Sequence, residues 1–452
     1  MCYNGLMFEE YIGYLPFLNF NVDAFLNVAG NDPFSAMIYL FLSGGWLILI
    51  PVLWFMFKNG WLEYVQNKAA AKREWILLRI SVPKASEQTV KAVENLFALL
   101  AGAHSPPSWT ETWLQGASQA VMSIEIASID GQVSYYIFCL KGLRDLVEAA
   151  VYAQYPDAEI DEVEDYARQV PAEYPNDEWD VWCTEMTNVM PDPYPLKTYT
   201  EFEDKVSGEF KGPMAAFLET FSRLGPGEQA WYQIILQPTD QRDFRKRAES
   251  LVKKIKGIKE TPKPSFAEQI VSVPLNVFFE IANLILGSAL GGGGGKEEKK
   301  DGTPEILKLS PGERLVLEAV ERKASKIGFN CKIRFLYVAK KEVMKKSKAV
   351  QPFIGSIKQV NTFNMQALKP SSKVGVNGTL WWFKDRRNNE RKSKMVRAYR
   401  SRSGWSGLPK FFMSSEELAT LWHFPILIQV KAPGLRRIEA KKSEAPANIP
   451  FG

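Results

Sequence analysis

The chain has 452 residues, 46% hydrophobic and 24% charged, a profile that fits a folded globular protein and excludes a disordered one. Lys plus Arg number 56 against 51 for Asp plus Glu, and a net +5 does not by itself mark a nucleic-acid binder. Four scattered Cys without a CxxC pair and only two His exclude a zinc ribbon, an iron–sulfur site, a disulfide scaffold and most His-based triads.

Charge is unevenly spread. Residues 1–57 hold Glu9, Glu10, Asp23 and Asp32 with no Lys or Arg, so they carry −4 and leave +9 to the remainder. Residues 6–28 are rich in Phe, Tyr and Leu and suit an outer interface, while Pro16 and the acidic residues argue against a span there. Phe34–Phe57 (FSAMIYLFLSGGWLILIPVLWFMF) is an uncharged run long enough, as one helix, to cross a hydrocarbon core of about 30 Å. Trp46, Trp54, Phe57 and Lys58 are its expected anchor at one interface. The competing reading is a buried core helix; a cleaved signal peptide lacks its basic n-region and A-x-A site. Lys58, Lys68, Lys72, Arg73 and Arg79 follow the run and nothing basic precedes it. The positive-inside rule then predicts a single-pass inner-membrane protein, N-terminus outside and the bulk of the chain cytoplasmic.

Beyond a helical stalk, residues 73–82 alternate as a strand, and Val90, Val93, Leu96, Phe97 and Leu100 share one helical face. Two strand-like runs, 119–129 and 132–140, flank Asp130-Gly131, a hairpin signal. An amphipathic helix over 141–153 and a short strand over 158–163 complete a β-α-β-β-α-β order. Helices are expected at 213–223, 243–255 (basic) and 312–326, and strands at 180–187, 230–236 and 330–338. The repeated order allows a duplication. The predicted class is therefore α+β: an N-terminal transmembrane helix followed by one or two ferredoxin-like sandwiches. The expected organisation is an extracytoplasmic segment over 1–33, a span over 34–57, a stalk over 58–72 and a first α/β domain over 73–170. A second domain over 171–430 is interrupted at 261–308, and a Pro-rich basic tail covers 431–452. Within the interruption, 266–290 is apolar and either seeks a surface or packs on its own domain. Gly291–Gly295 is followed by Lys296 and Glu297 rather than Lys-Ser/Thr, so this stretch is a linker and not a phosphate loop.

The sharpest charge feature is a basic hairpin over 381–405. Lys384, Arg386, Arg387, Arg391, Lys392, Lys394, Arg397, Arg400 and Arg402 are bordered or interleaved by Trp381, Trp382, Phe383, Tyr399 and Trp405. Such a group suits an acidic partner or the chain's own acidic strip, anionic lipid headgroups, or nucleic-acid phosphates and bases. Further on, Ser414 and Glu417 form a capping box, and His423 falls in the last turn of that helix, where a structural role is expected.

Three stretches carry a family resemblance: SSEELATLWHFP with the VKAP and EAKKSEAPANIP runs after it, SPGERLVLEAVERKASKIGFNCKIRFLYVA, and YYIFCLKGLRDLVEAAVYAQYPDAEIDEVEDY. They resemble the membrane-anchored N-terminal region, an uncharacterised domain family, of HerA/TraG-like coupling ATPases of type IV secretion and conjugation systems. In those proteins a motor with Walker motifs follows the NIP-like sequence, whereas this chain stops at Gly452. The resemblance thus implies a non-catalytic component with no cofactor and no small-molecule substrate. It would serve as a docking platform for a separate hexameric ATPase and form a homo-oligomer. The alternative is a tethered nucleic-acid-binding protein acting through 384–402.

Overall fold

The computed structural model describes residues 33–41, 46–83, 88–202, 212–256, 309–376 and 382–425. The outer-interface segment 6–28, the apolar stretch and linker within 261–308, the tail 431–452 and Trp381 lie outside the described residues. The chain divides into two compact units. One comprises the residues up to Arg73 together with Ser105–Gln119; the other comprises Glu74–His104 and everything from Ala120 onward.

The first unit overturns the membrane span. Within the apolar run the described helices are α1 (Pro33–Leu40) and α2 (Trp46–Ala70), and residues 42–45 lie outside the described residues. At 1.5 Å per residue α1 is about 12 Å long, and the uncharged start of α2, Trp46–Phe57, about 18 Å, against a core of about 30 Å. Beyond Phe57 the helix carries Lys58, Glu63 and Lys68. Among the described residues no helix is long and apolar enough to cross a membrane. This corrects the expected single-pass inner-membrane placement and the orientation that followed from it. The presumed anchor residues have other settings. Trp46 begins α2, Trp54 and Phe57 are 65% and 63% exposed with rings 6.1 Å apart, and Lys58 Nζ lies 5.5 Å from the Trp113 ring. Trp61 Nε1 donates to the Trp113 carbonyl at 3.0 Å, and Arg73 donates to Ser118 Oγ at 3.1 Å. Gly116 adopts φ +69°, and a Cβ there would strike the Val65 backbone, so the loop's close approach to α2 requires glycine.

In the second unit the expectation of separate ferredoxin-like sandwiches is also corrected, since nine strands form one antiparallel sheet. The first half supplies β1 (Trp75–Ser81), α3 (Val90–Leu100), β2 (Met122–Ile129), β3 (Gln132–Leu140), α4 (Arg144–Tyr152) and β4 (Glu159–Glu162). The second supplies β5 (Trp179–Asn188), α5 (Pro213–Ser222), β6 (Glu228–Pro238), α6 (Arg242–Ile255), α7 (Pro311–Ser325), β7 (Gly328–Lys340), α8 (Lys346–Lys358) and β8 (Leu368–Pro370). Helix α9 (Lys384–Arg400), β9 (Phe411–Ser414) and α10 (Ser415–Leu421) follow. The strand order is β4-β1-β3-β2-β6-β7-β5-β8, with β9 pairing to the start of β7. What fuses the halves is β2 against β6, in register from Met122↔Leu236 to Ile129↔Gln229. Neither strand can stay an edge. Both are long and apolar, and unpaired they would expose a row of amides and carbonyls.

The tight β2–β3 turn has the sequence Asp130-Gly131 with φ 52° and 85°, both in the left-handed region that a two-residue hairpin demands. Alternation along the strands then sorts the side chains. One sheet face carries Leu78, Ile124, Ile137, Ile234 and Phe335, covered by Phe97 of α3, Val147 of α4, Phe221 of α5, Phe353 of α8 and Leu418 of α10. The other face carries Leu77, Trp231 and Leu336 under Tyr166, Met395, Val396 and Tyr399. This second face carries a row of charged and amide residues at its centre, Glu125, Gln233, Arg334 and Glu185.

A candidate docking surface on helix α9

A single cross-strand row of polar residues runs over the second face. From β4 to β5 it reads Asp161, Arg79, Tyr136, Glu125, Gln233, Arg334 and Glu185, each opposite the next. Glu125, Gln233, Arg334 and Glu185 are fully buried, so each must be paired to offset lost hydration. Gln233 Nε2 donates to Glu125 Oε1 at 2.8 Å, Arg334 Nη1 to Gln233 Oε1 at 3.2 Å, and Arg334 Nε to Glu185 Oε1 at 2.9 Å.

The segment from α9 into the following strap, residues 401–410, closes over this row. Arg402 donates to both oxygens of Glu125, at 3.0 and 3.1 Å, and pairs with Asp165. Burial alone would pull the Arg402 pKa down, but the two carboxylates more than offset it and raise it. Tyr166 donates to Glu125 Oε2 at 2.8 Å and shares a 2.7 Å hydroxyl contact with Tyr399. Burial pushes both phenols well above their ordinary range, so both stay protonated. Arg334 also donates to the carbonyls of Ala398, Ser403 and Ser406, at 2.9, 2.7 and 2.8 Å. Lys332 Nζ donates to the same Ser406 carbonyl at 2.6 Å, and burial lowers its pKa to about 8. Gly407 (φ +93°) passes so close that a Cβ would collide with the Glu185 carboxylate. The acids and bases of this face are therefore engaged with one another beneath a strap. That arrangement holds layers together rather than receiving a ligand.

The basic hairpin is corrected to one helix, α9, with two faces. Met395, Val396 and Tyr399 anchor it in the core, each contributing roughly 1.5–3 kcal/mol of apolar burial. Several of its expected contact residues are spent internally. Arg391 donates to the Ser372 and Gly375 carbonyls, Lys392 pairs with Asp180 at 2.5 Å, and Arg400 donates to the Ala167 and Val170 carbonyls. Arg402 is buried as described. Arg386, Arg387, Lys394 and Arg397 remain exposed, interrupted by Glu390, which Arg386 meets at 3.5 Å. Lys384 is exposed beside Asp385 at the helix start. Trp382 and Phe383 stand before them, 71% and 75% exposed. Phe383 has φ 50°, a costly conformation for an aromatic residue that is worth reading as a functional hint. The structure thus brings Trp382, Phe383, Lys384, Arg386, Arg387, Lys394 and Arg397 onto an open surface, and withdraws Arg391, Lys392, Arg400 and Arg402 from it.

Sequence reading misses the polar row. Its signal is a charged or amide residue set among apolar neighbours midway along a strand: Glu125 in SIEIAS, Gln233 in WYQII, Arg334 in KIRFLY and Glu185 in WCTEMT. Each alone passes for a solvated position; only pairing shows that they share one row.

No curated protein matches this chain. A family model does match, over residues 63–431, which takes in both the polar row and α9. The chain belongs to the family defined by a domain of unknown function, DUF8128.

Proposed function

We propose that the protein is a non-catalytic docking component that engages a separate translocation ATPase of the type IV secretion or conjugation class. One observation carries the docking part: α9 is pinned to the core along one side while its open surface offers five arginine and lysine side chains behind two exposed aromatics. Aromatic and arginine side chains are the residues most enriched at the energetic centres of protein interfaces. A helix held rigidly by burial presents them with little ordering cost on binding. The choice of an ATPase partner rests on the family resemblance of the three sequence stretches given above. An acidic surface on that partner complements the helix.

The test is co-purification of the full chain from its native cells, with mass spectrometry of what accompanies it. A P-loop ATPase should be recovered with the wild type. It should be depleted about tenfold or more with Arg387→Glu/Lys394→Glu, whose exposed positions leave stability within about 0.5 kcal/mol. Failure to recover any ATPase with the wild type would reject the reading. Nucleic-acid binding is the second reading, favoured by Trp382 and Phe383 beside Lys384, where bases can stack. With five exposed cations on this surface it requires a salt slope no steeper than about −4.5, reduced by the same double variant.

A further inference from the structure

A second cationic surface lies on α6, away from the polar row. Between Arg242 and Ile255 this helix carries six basic side chains, all exposed, against Asp243 and Glu249. Phe244 and Ala248 fasten its opposite side, with Phe244 stacked on Phe412 of β9 at 3.6 Å between centroids. Alongside the exposed side runs the Pro191–Pro193 loop, and the two border an open groove of about 410 Å3. Pro191, Pro193 and Leu251 give it apolar walls, while Lys246, Arg247 and Ser250 form its helical rim. Val189 and Met190, just before the loop, are themselves 51% and 37% exposed.

The one carboxylate in the groove is already neutralised. Asp192 accepts from Asn188 Nδ2 at 3.2 Å and the Phe412 amide at 3.3 Å, and pairs with Arg247 at 3.3 Å. It braces the loop and leaves Lys246 exposed at the rim. Lys254 carries the positive face about one turn beyond Ser250.

We propose that this groove binds an acidic peptide segment, seating one apolar side chain between Pro191, Pro193 and Leu251 while flanking carboxylates meet Lys246 and Lys254. Charge complementarity selects the acidic class, and the apolar walls select a peptide over a nucleic acid. None of the groove's seven lining residues is aromatic, so a base has nothing to stack on. The inference stands apart from the docking role of α9, since it uses a different helix.

The test is fluorescence anisotropy with the full chain and a labelled Glu-rich peptide carrying one central Leu. Ser250→Trp fills the groove from an exposed helix position, and Lys246→Glu reverses the rim. Each should weaken binding roughly tenfold or more, the scale of one excluded apolar side chain or one reversed contact charge. The same peptide with Ser at its centre should bind the wild type about as weakly, and Arg387→Glu on α9 should change nothing. The proposal is overturned by equal affinity of wild type and Ser250→Trp, by equal affinity for the Leu and Ser peptides, or by loss in Arg387→Glu alone. Tighter binding of a single-stranded oligonucleotide, insensitive to Ser250→Trp, overturns it as well.

Discussion

His423 follows α10 and is buried, with ring nitrogen Nδ1 2.9 Å from the Ala419 carbonyl. That carbonyl favours a proton on the ring, but burial is the larger effect and lowers the pKa to about 4. The folded state thus keeps the imidazole neutral where an unfolded chain, with an ordinary value of about 6.5, takes up a proton. Stability from this group is complete above pH 6.5 and is lost as pH falls from 6.5 to 4, by up to about 3 kcal/mol. Urea midpoints measured across that window should fall steeply for the wild type and less for His423→Gln. Parallel slopes would show that another group governs the acid limb. At the same scale, Arg402 and Lys332 show how position overrides residue type: one is held charged by two carboxylates, while burial depresses the pKa of the other.

Two helices begin with the same motif in different surroundings. Ser310 and Glu313 form a capping box at the start of α7, and Ser414 and Glu417 form one at the start of α10. Ser310 accepts from the Glu313 amide where solvent can replace it, so Ser310→Ala should cost about 1 kcal/mol in chemical denaturation. The second box is buried, and Glu417 also accepts from the Leu196 amide and meets Lys323 at 3.0 Å. Ser414→Ala there disturbs a network without water to repair it and should cost about 2–3 kcal/mol. Equal losses at the two sites would mean that burial adds nothing to the cap. The Ser414–Glu417 box is read from the sequence, because a cap is a contact between residues three apart, whereas the Ser310–Glu313 box is found in the structure. Helix α9 differs: its basic stretch reads as one surface, yet its inner side is set by Met395, Val396 and Tyr399 meeting a sheet whose strands come from far along the chain.

At the scale of the molecule, the β2–β6 seam makes one sheet out of two runs of strands, and the polar row crosses it from Glu125 to Gln233. Amides of β1–β3 and of β5–β7 should therefore share their slowest hydrogen-exchange free energy, opening together rather than as separate lobes. A clear gap of several kcal/mol between the two groups would show that the seam does not couple them. By itself, the sequence determined the local parts: alternating strands, amphipathic helices, the Asp130-Gly131 turn and the Ser414 cap, all governed by neighbours within a few residues. The tertiary structure decided the rest. It closed two sets of strands into one sheet. It also sorted the cations of 384–402 into braces and surface. The physical reason is distance along the chain: Arg402 is buried because Glu125, 277 residues away, lies beneath it, while Arg387 and Lys394 stay exposed on the face turned away from that row.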